Sequence, residues 1–312
     1  MFTFDSYFPD KIGHTHEIVS LAFTPCGKIL ASGDWSGTIR LWDLATGFVH
    51  ASMEKFNELS SVTKLAFSSD QKTFACASLS SVYLWKVKTG RVQLELEFSS
   101  LISDIAFPQS GSLVAILLEK SNQVIIWNLK TDSLVREWEW ENSISITQIK
   151  FSRDSKYLYC VCEDGRILIV DSFKMSVKHS LQADSEEVLT MAVSSNGDYI
   201  ACGGKDAKIK LFETNSFEQL PIQNPHWDHI NSIDFSSDNR FLLSTGEDFN
   251  LCLSSVETGE LVSTIEEDFC GSIIACSPTG DYVAGVAGQS NKIKIWQRFD
   301  LDADYDWLVS TN

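Results

Sequence analysis

A chain of 312 residues can form two ordinary domains or one large closed β domain. Its 44% hydrophobic and 21% charged residues are ordinary for a globular protein with a packed core. The net charge of -17 and a pI near 4.7 repel polyanions, which disfavours nucleic acid and favours a neutral or basic partner surface.

The opening residues, MFTFDSYFPDKIG, lack the basic and apolar regions of a signal peptide. The longest apolar run, LVAILL, is far too short to cross a bilayer as a helix, so no membrane partner is expected. Gly13 to Asp43 then reads as three strands. IVSLAF alternates apolar and polar residues, PCGK turns, KILAS is a second apolar run, DWSG turns again, and TIRLW alternates once more. FVHASM supplies a fourth strand after the Thr46-Gly47 turn.

This unit recurs. The residue ending the first strand returns at Phe23, Phe67, Phe107, Phe151, Val193, Phe235 and Cys276, at spacings of 44, 40, 44, 42, 42 and 41. The residue ending the third strand returns at Trp42, Trp85, Trp127, Val170, Phe212, Ser254 and Trp296, at spacings of 43, 42, 43, 42, 42 and 42. Two landmarks in step through seven cycles establish an internal repeat. Four strands per cycle of this length, without a helical pattern, is the signature of propeller blades.

Eight cysteines include no CxxC pair and no metal-like spacing with the six histidines, so no metal or other cofactor is expected. Cys76, Cys160, Cys162, Cys202 and Cys252 fall inside apolar strands, where a thiol packs as a small hydrophobe. A reducing compartment follows, the cytoplasm first and the nucleus next.

Gly13-His14, the small residues of ASGDWSGT and the closing Trp42-Asp43 resemble the WD-repeat β-propeller family over residues 13 to 297. The resemblance implies an all-β, seven-bladed propeller of four-stranded antiparallel blades, used as an interaction platform. Residues 1–299 are expected to be that single domain, with repeat cores at about 13–54, 57–98, 99–141, 142–183, 184–224, 225–266 and 267–297. Residues 2–8 complete the last blade and close the ring, and 300–312 form an acidic C-terminal tail; the alternative closing strand is DYDWLVST.

The resemblance also implies a buried hydrogen-bonded set of His, Ser, Asp and Trp in each blade. His14, Ser32 and Trp42 match it in blade one, and His226, Ser244 and Asp248 in blade six. Asp164, Asp206 and Asp248 match the aspartate of the turn between second and third strands, whereas Ser36, Ser121 and Ser290 stand there in other blades. On this pattern no blade keeps the full set, and blade one lacks its turn aspartate.

His226, Ser244 and Asp248 have the residue types of a nucleophilic triad, but the pattern assigns them to structure, and no catalytic residue is named. Phosphate-cradling loops, HExxH and GxSxG are absent. Alternation places Trp138 and Trp140 on one strand face and Glu137, Glu139 and Glu141 on the other.

In proteins of the resembled family, partners sit on the face where fourth-to-first and second-to-third strand loops emerge. Trp35, Glu163, Lys205 and Glu247 point there, with His16, Trp227 and Asp228 on the same rim. The expected function is a non-enzymatic scaffold or adaptor within a protein complex, docking a protein or peptide segment with basic residues. The alternative is a propeller enzyme, of hydrolase or lyase type, with its site at the central channel.

Overall fold

Alternating apolar and polar residues, broken by PCGK-type turns, make each repeat a meander of four antiparallel strands. The computed structural model describes residues 2–3, 13–47, 49–53, 61–109, 112–119, 122–140, 144–184, 186–266, 273–286 and 290–298. Among these residues there are seven four-stranded sheets and no helix. Blade one runs Ile18–Phe23, Ile29–Asp34, Ile39–Asp43 and Val49–Met53. The first strands of blades two to seven are Lys64–Phe67, Ile102–Ala106, Ile146–Phe151, Val188–Val193, Ile230–Phe235 and Ile273–Cys276. They touch in sequence, and the seventh touches Ile18–Phe23, so the blades form a closed ring.

The seventh sheet is completed by Phe2–Thr3, with Phe2 opposite Arg298 and Thr3 opposite Gln297. The N-terminal strand therefore closes the ring. The rest of the segment 4–8, and the tail 300–312, lie outside the described residues.

A single blade cannot bury both faces, so the core is a wedge at every blade junction. Ala31 and Ile39 of blade one pack with Val62, Leu65, Phe74, Cys76 and Trp85 of blade two. The last wedge joins Ala284, Val286, Ile293 and Ile295 to Ile18, Leu30, Trp42 and Leu44. The repeat landmarks have a register reason: Trp42, Trp85, Trp127, Val170, Phe212, Ser254 and Trp296 each lie opposite one second-strand residue, namely Leu30, Phe74, Val114, Leu158, Ile200, Leu242 and Val283. Cys160 and Cys162 share one wedge, against which Trp138 and Trp140 also pack, their centroids 5.8 Å apart. Glu137 and Glu139, which alternate with the two rings along the strand, are exposed; Glu141 lies outside the described residues.

The innermost strands are also stitched side chain to backbone. Ser20 Oγ accepts Leu65 N–H at 3.0 Å, Asp104 Oδ2 accepts Ile149 N–H at 2.9 Å, and Thr190 Oγ1 accepts Ile233 N–H at 3.2 Å. Ser232 Oγ accepts Ile274 N–H at 3.1 Å, and Asp234 Oδ2 accepts Cys276 N–H at 2.7 Å. Asp104 also pairs with Lys64 Nζ at 3.3 Å. These channel-side charges are thus tied into the ring. Burial lowers the Lys150 ammonium pKa below its usual value and raises that of the Asp234 carboxyl, each partly offset by the other's charge.

Candidate functional site

The candidate face begins with what holds its loops. In blade one His14 Nδ1 lies 2.7 Å from Asp34 Oδ2, His14 Nε2 lies 2.6 Å from Ser32 Oγ, and Trp42 Nε1–H donates to Ser32 Oγ at 2.7 Å. One donor order satisfies every atom: indole to hydroxyl, hydroxyl to Nε2, and Nδ1–H to the carboxylate. Asp34 Oδ1 accepts three more bonds, from Ser36 N–H, Ser36 Oγ–H and Thr38 N–H.

This corrects the expectation that no blade keeps the full set. Blade one keeps it, with Asp34 in place of an aspartate at position 36. The geometry is visible at the equivalent position in blade six, Gly246, where a Cβ would lie 3.2 Å from His226 Nδ1 and 3.0 Å from Asp248 Oδ1. A carboxylate at the end of the second strand therefore reaches the same imidazole nitrogen as one in the turn. Relative to Gly246 and Asp248, the carboxylate has moved two residues back, and Ser36 has become its partner. Burial pushes the Asp34 carboxyl up, but hydrogen bonds from His14, Ser36 and Thr38 leave it below its ordinary value.

Blade six uses the turn position. His226 Nδ1 meets Asp248 at 2.9 and 3.0 Å, and Nε2 meets Ser244 Oγ at 2.7 Å. Asp248 also accepts Trp227 N–H and Asn250 N–H, both at 3.2 Å, so one carboxylate ties the incoming loop to the turn. Ser244 is 0% exposed, which withholds its hydroxyl from any substrate.

The other two network aspartates have no histidine. Asp164 bonds Arg166 instead, Nε to Oδ2 at 2.5 Å. Asp206 faces Asp184, which occupies the histidine position of blade five and was missed in the sequence. Asp184 is 2% exposed, and the Oδ2 atoms of both carboxylates are buried without a hydrogen-bond partner. Burial, then the negative charge of Asp206, raises the Asp184 pKa. Desolvation and a like charge both disfavour the ionised form of Asp184.

Above these pins, in five blades the residue after the second strand donates its N–H to the carbonyl just before the first strand. Trp35 bonds Glu17 at 3.0 Å, Glu119 bonds Leu101 at 2.7 Å, Glu163 bonds Ser145 at 3.0 Å, Lys205 bonds Glu187 at 3.0 Å, and Glu247 bonds His229 at 2.8 Å. Antiparallel connectivity places all these loops on one face. Trp35 is 55% exposed and Trp227 71%; His16, Glu163 and Lys205 are exposed, and Asp228 and Glu247 half-buried. Leu79, Leu101 and Phe249 are exposed on the same face and were not anticipated. A sequence signal existed for Phe249, a bulky residue directly after a turn aspartate, where φ is +64°.

Two outcomes follow. Asp34→Ala lowers stability by about 3 kcal/mol in denaturant unfolding, because it strands a buried imidazole and opens the turn. The double change Asp34→Gly with Ser36→Asp copies blade six and recovers most of that loss; equal loss in both variants would refute the exchange. For Asp184, a raised folded-state pKa means its contribution is full below the ordinary carboxylate value and lost as pH rises through the folded value. Asp184→Asn removes this dependence, so the variant gains on the natural protein as pH rises above the ordinary carboxylate range. Parallel stability profiles would contradict the raised Asp184 value.

Comparison with known proteins agrees with this architecture. The family model "WD domain, G-beta repeat" matches residues 8–43, 54–86 and 218–253, and "Anaphase-promoting complex subunit 4 WD40 domain" matches 105–196. Eukaryotic translation initiation factor 3 subunit I of Debaryomyces hansenii is 22% identical over 89% of this chain and 73% of that protein. THO complex subunit 3 of Arabidopsis thaliana is 22% identical over 81% of each. The WD repeat-containing protein 26 homolog of the same plant is 22% identical over 91% of the chain, which spans about half (49%) of that longer protein. With seven four-stranded blades, pinned turns and matches over more than half its length, the chain belongs to the WD-repeat β-propeller family.

Proposed function

We propose that this propeller is a non-enzymatic scaffold or adaptor subunit that docks a protein or peptide segment on the face bearing Trp35 and Trp227. The observation that carries this reading is the exposure of both indoles on loops whose backbones are pinned from below. Exposed tryptophans on a rigid frame supply contact area at little ordering cost, and binding energy concentrates on such residues. Glu163, Glu247 and Asp228 around them, with the net charge of -17, favour a segment carrying lysine or arginine. Lys205 and His16 supply the polar remainder of the rim. Relatives whose names place them in the initiation factor 3 and THO complexes support a role as a complex subunit.

The described cysteines are all free, and five of them are buried in strands, which supports a reducing compartment such as the cytoplasm or nucleus. No helix among the described residues is long and apolar enough to cross a membrane. The channel charges favour structure over catalysis, because Asp104 and Asp234 are committed to backbone N–H groups of neighbouring strands.

Affinity capture with the intact chain, with Trp35→Ala plus Trp227→Ala, and with Phe173→Ala tests the face. Phe173 is 61% exposed at a third-to-fourth strand turn, on the opposite face. The double variant loses its stoichiometric partner, with affinity down at least about thirtyfold, while Phe173→Ala retains it. The reverse pattern, or identical partners from all three, would overturn the assignment.

A further inference from the structure

Beside Trp227, the rim of blade six brings three donor side chains together. Asp228, His229 and Glu247 each offer one ligand atom, and these atoms lie within 4.8 Å of one another. His229 Nδ1 is 3.7 Å from Glu247 Oε2, too far for a hydrogen bond. Two ligands about 2.1 Å from a shared tetrahedral ion stand about 3.4 Å apart, so the gap is close to what such an ion spans.

The frame beneath is fixed. Asp248, held by the buried His226, accepts Trp227 N–H at 3.2 Å, and Glu247 N–H bonds His229 O at 2.8 Å. Asp228 Oδ1 accepts His229 N–H at 2.8 Å, which leaves Oδ2 available. The donors therefore hang from pinned backbone and need little ordering before they act.

Blade five provides an independent comparison. Its Glu187 and Lys205 hold the positions of His229 and Glu247, and Lys205 Nζ pairs with Glu187 Oε2 at 2.5 Å. An ammonium fills there the place between the two loops. In blade six glutamate replaces that lysine, and among the described residues no lysine or arginine pairs with Asp228 or Glu247. Two carboxylates are left uncompensated in a chain of net charge -17.

We propose that Asp228, His229 and Glu247 form a binding site for one zinc-class dication on this rim. One imidazole with two carboxylates suits a borderline ion, whereas calcium takes six to eight oxygens. The side chains of His229 and Glu247 are 38% and 44% exposed, which gives the ion an entry path and leaves a coordination position to water. The site shares Asp228 and Glu247 with the docking rim, so an ion there would take over the charge of those two carboxylates, and the test uses metal alone so that its outcome is separate from docking.

The test is a titration of the full chain, without an affinity tag and stripped by chelator, with zinc chloride against a chromogenic competitor. One zinc binds per chain, and calcium chloride at equal concentration does not displace it. His229→Gln and Glu247→Gln each weaken zinc binding at least about tenfold. The double variant His229→Glu with Glu247→Lys copies the blade-five ion pair, keeps the thermal midpoint of the natural chain and binds no zinc at the site. Absence of stoichiometric zinc, undiminished binding in either single variant or in the folded double variant, or calcium binding as tight as zinc would each overturn the assignment.

Discussion

The contact on which this face depends is the buried bond between an imidazole and a carboxylate at the top of a blade. A strand-two-to-three turn and the loop entering strand one are separate chain segments with no hydrophobic face of their own. In blade six Asp248 joins them by accepting from His226, Trp227 N–H and Asn250 N–H. The imidazole in turn is anchored to Ser244 in the second strand. A charged acceptor with several buried donors is worth more than its bonds counted singly, because leaving any one unpaired in low dielectric is costly. The rim tryptophan and the carboxylates beside it are consequences of that anchor.

The seven blades satisfy this need unequally. Blade one retains the set through an exchanged aspartate, blade six loses the indole but keeps the rest, and blade five replaces imidazole with a second carboxyl group. The ring tolerates such variation because its cohesion lies elsewhere. Every blade face is buried in a wedge with its neighbour, and the inner strands are stitched by Ser20, Asp104, Thr190, Ser232 and Asp234. Fold and rim are therefore separable: wedges and stitches maintain the ring, while the pins set what each loop presents.

The fold was legible because it rests on periodicity. Strand alternation and two landmarks a fixed distance apart survive substitution at any one position, and the register pairs each landmark with one second-strand residue. The pins were less legible because they rest on reach. Comparing like positions found Ser36 and hid Asp34, although a carboxylate two residues earlier touches the same nitrogen. Asp184 was hidden for the opposite reason, since it stands where a histidine belongs yet belongs to a different chemistry. His229 drew no notice because only folding brings it against Glu247. Exposure of Trp35 and Trp227 was expected from their place beside the turns, and Phe249 follows a turn aspartate; that Leu79 and Leu101 join them depends on loop conformations which residue spacing does not encode.

Amide hydrogen exchange in Asp248→Ala, read residue by residue against the natural chain, tests the central claim most directly. Loss of the pin speeds exchange at Trp227 and Glu247 by about thirtyfold, equivalent to roughly 2 kcal/mol, while Trp35 and Lys205 in other blades exchange as before. Unchanged exchange at Trp227 and Glu247, or acceleration spread evenly around the ring, would contradict the account.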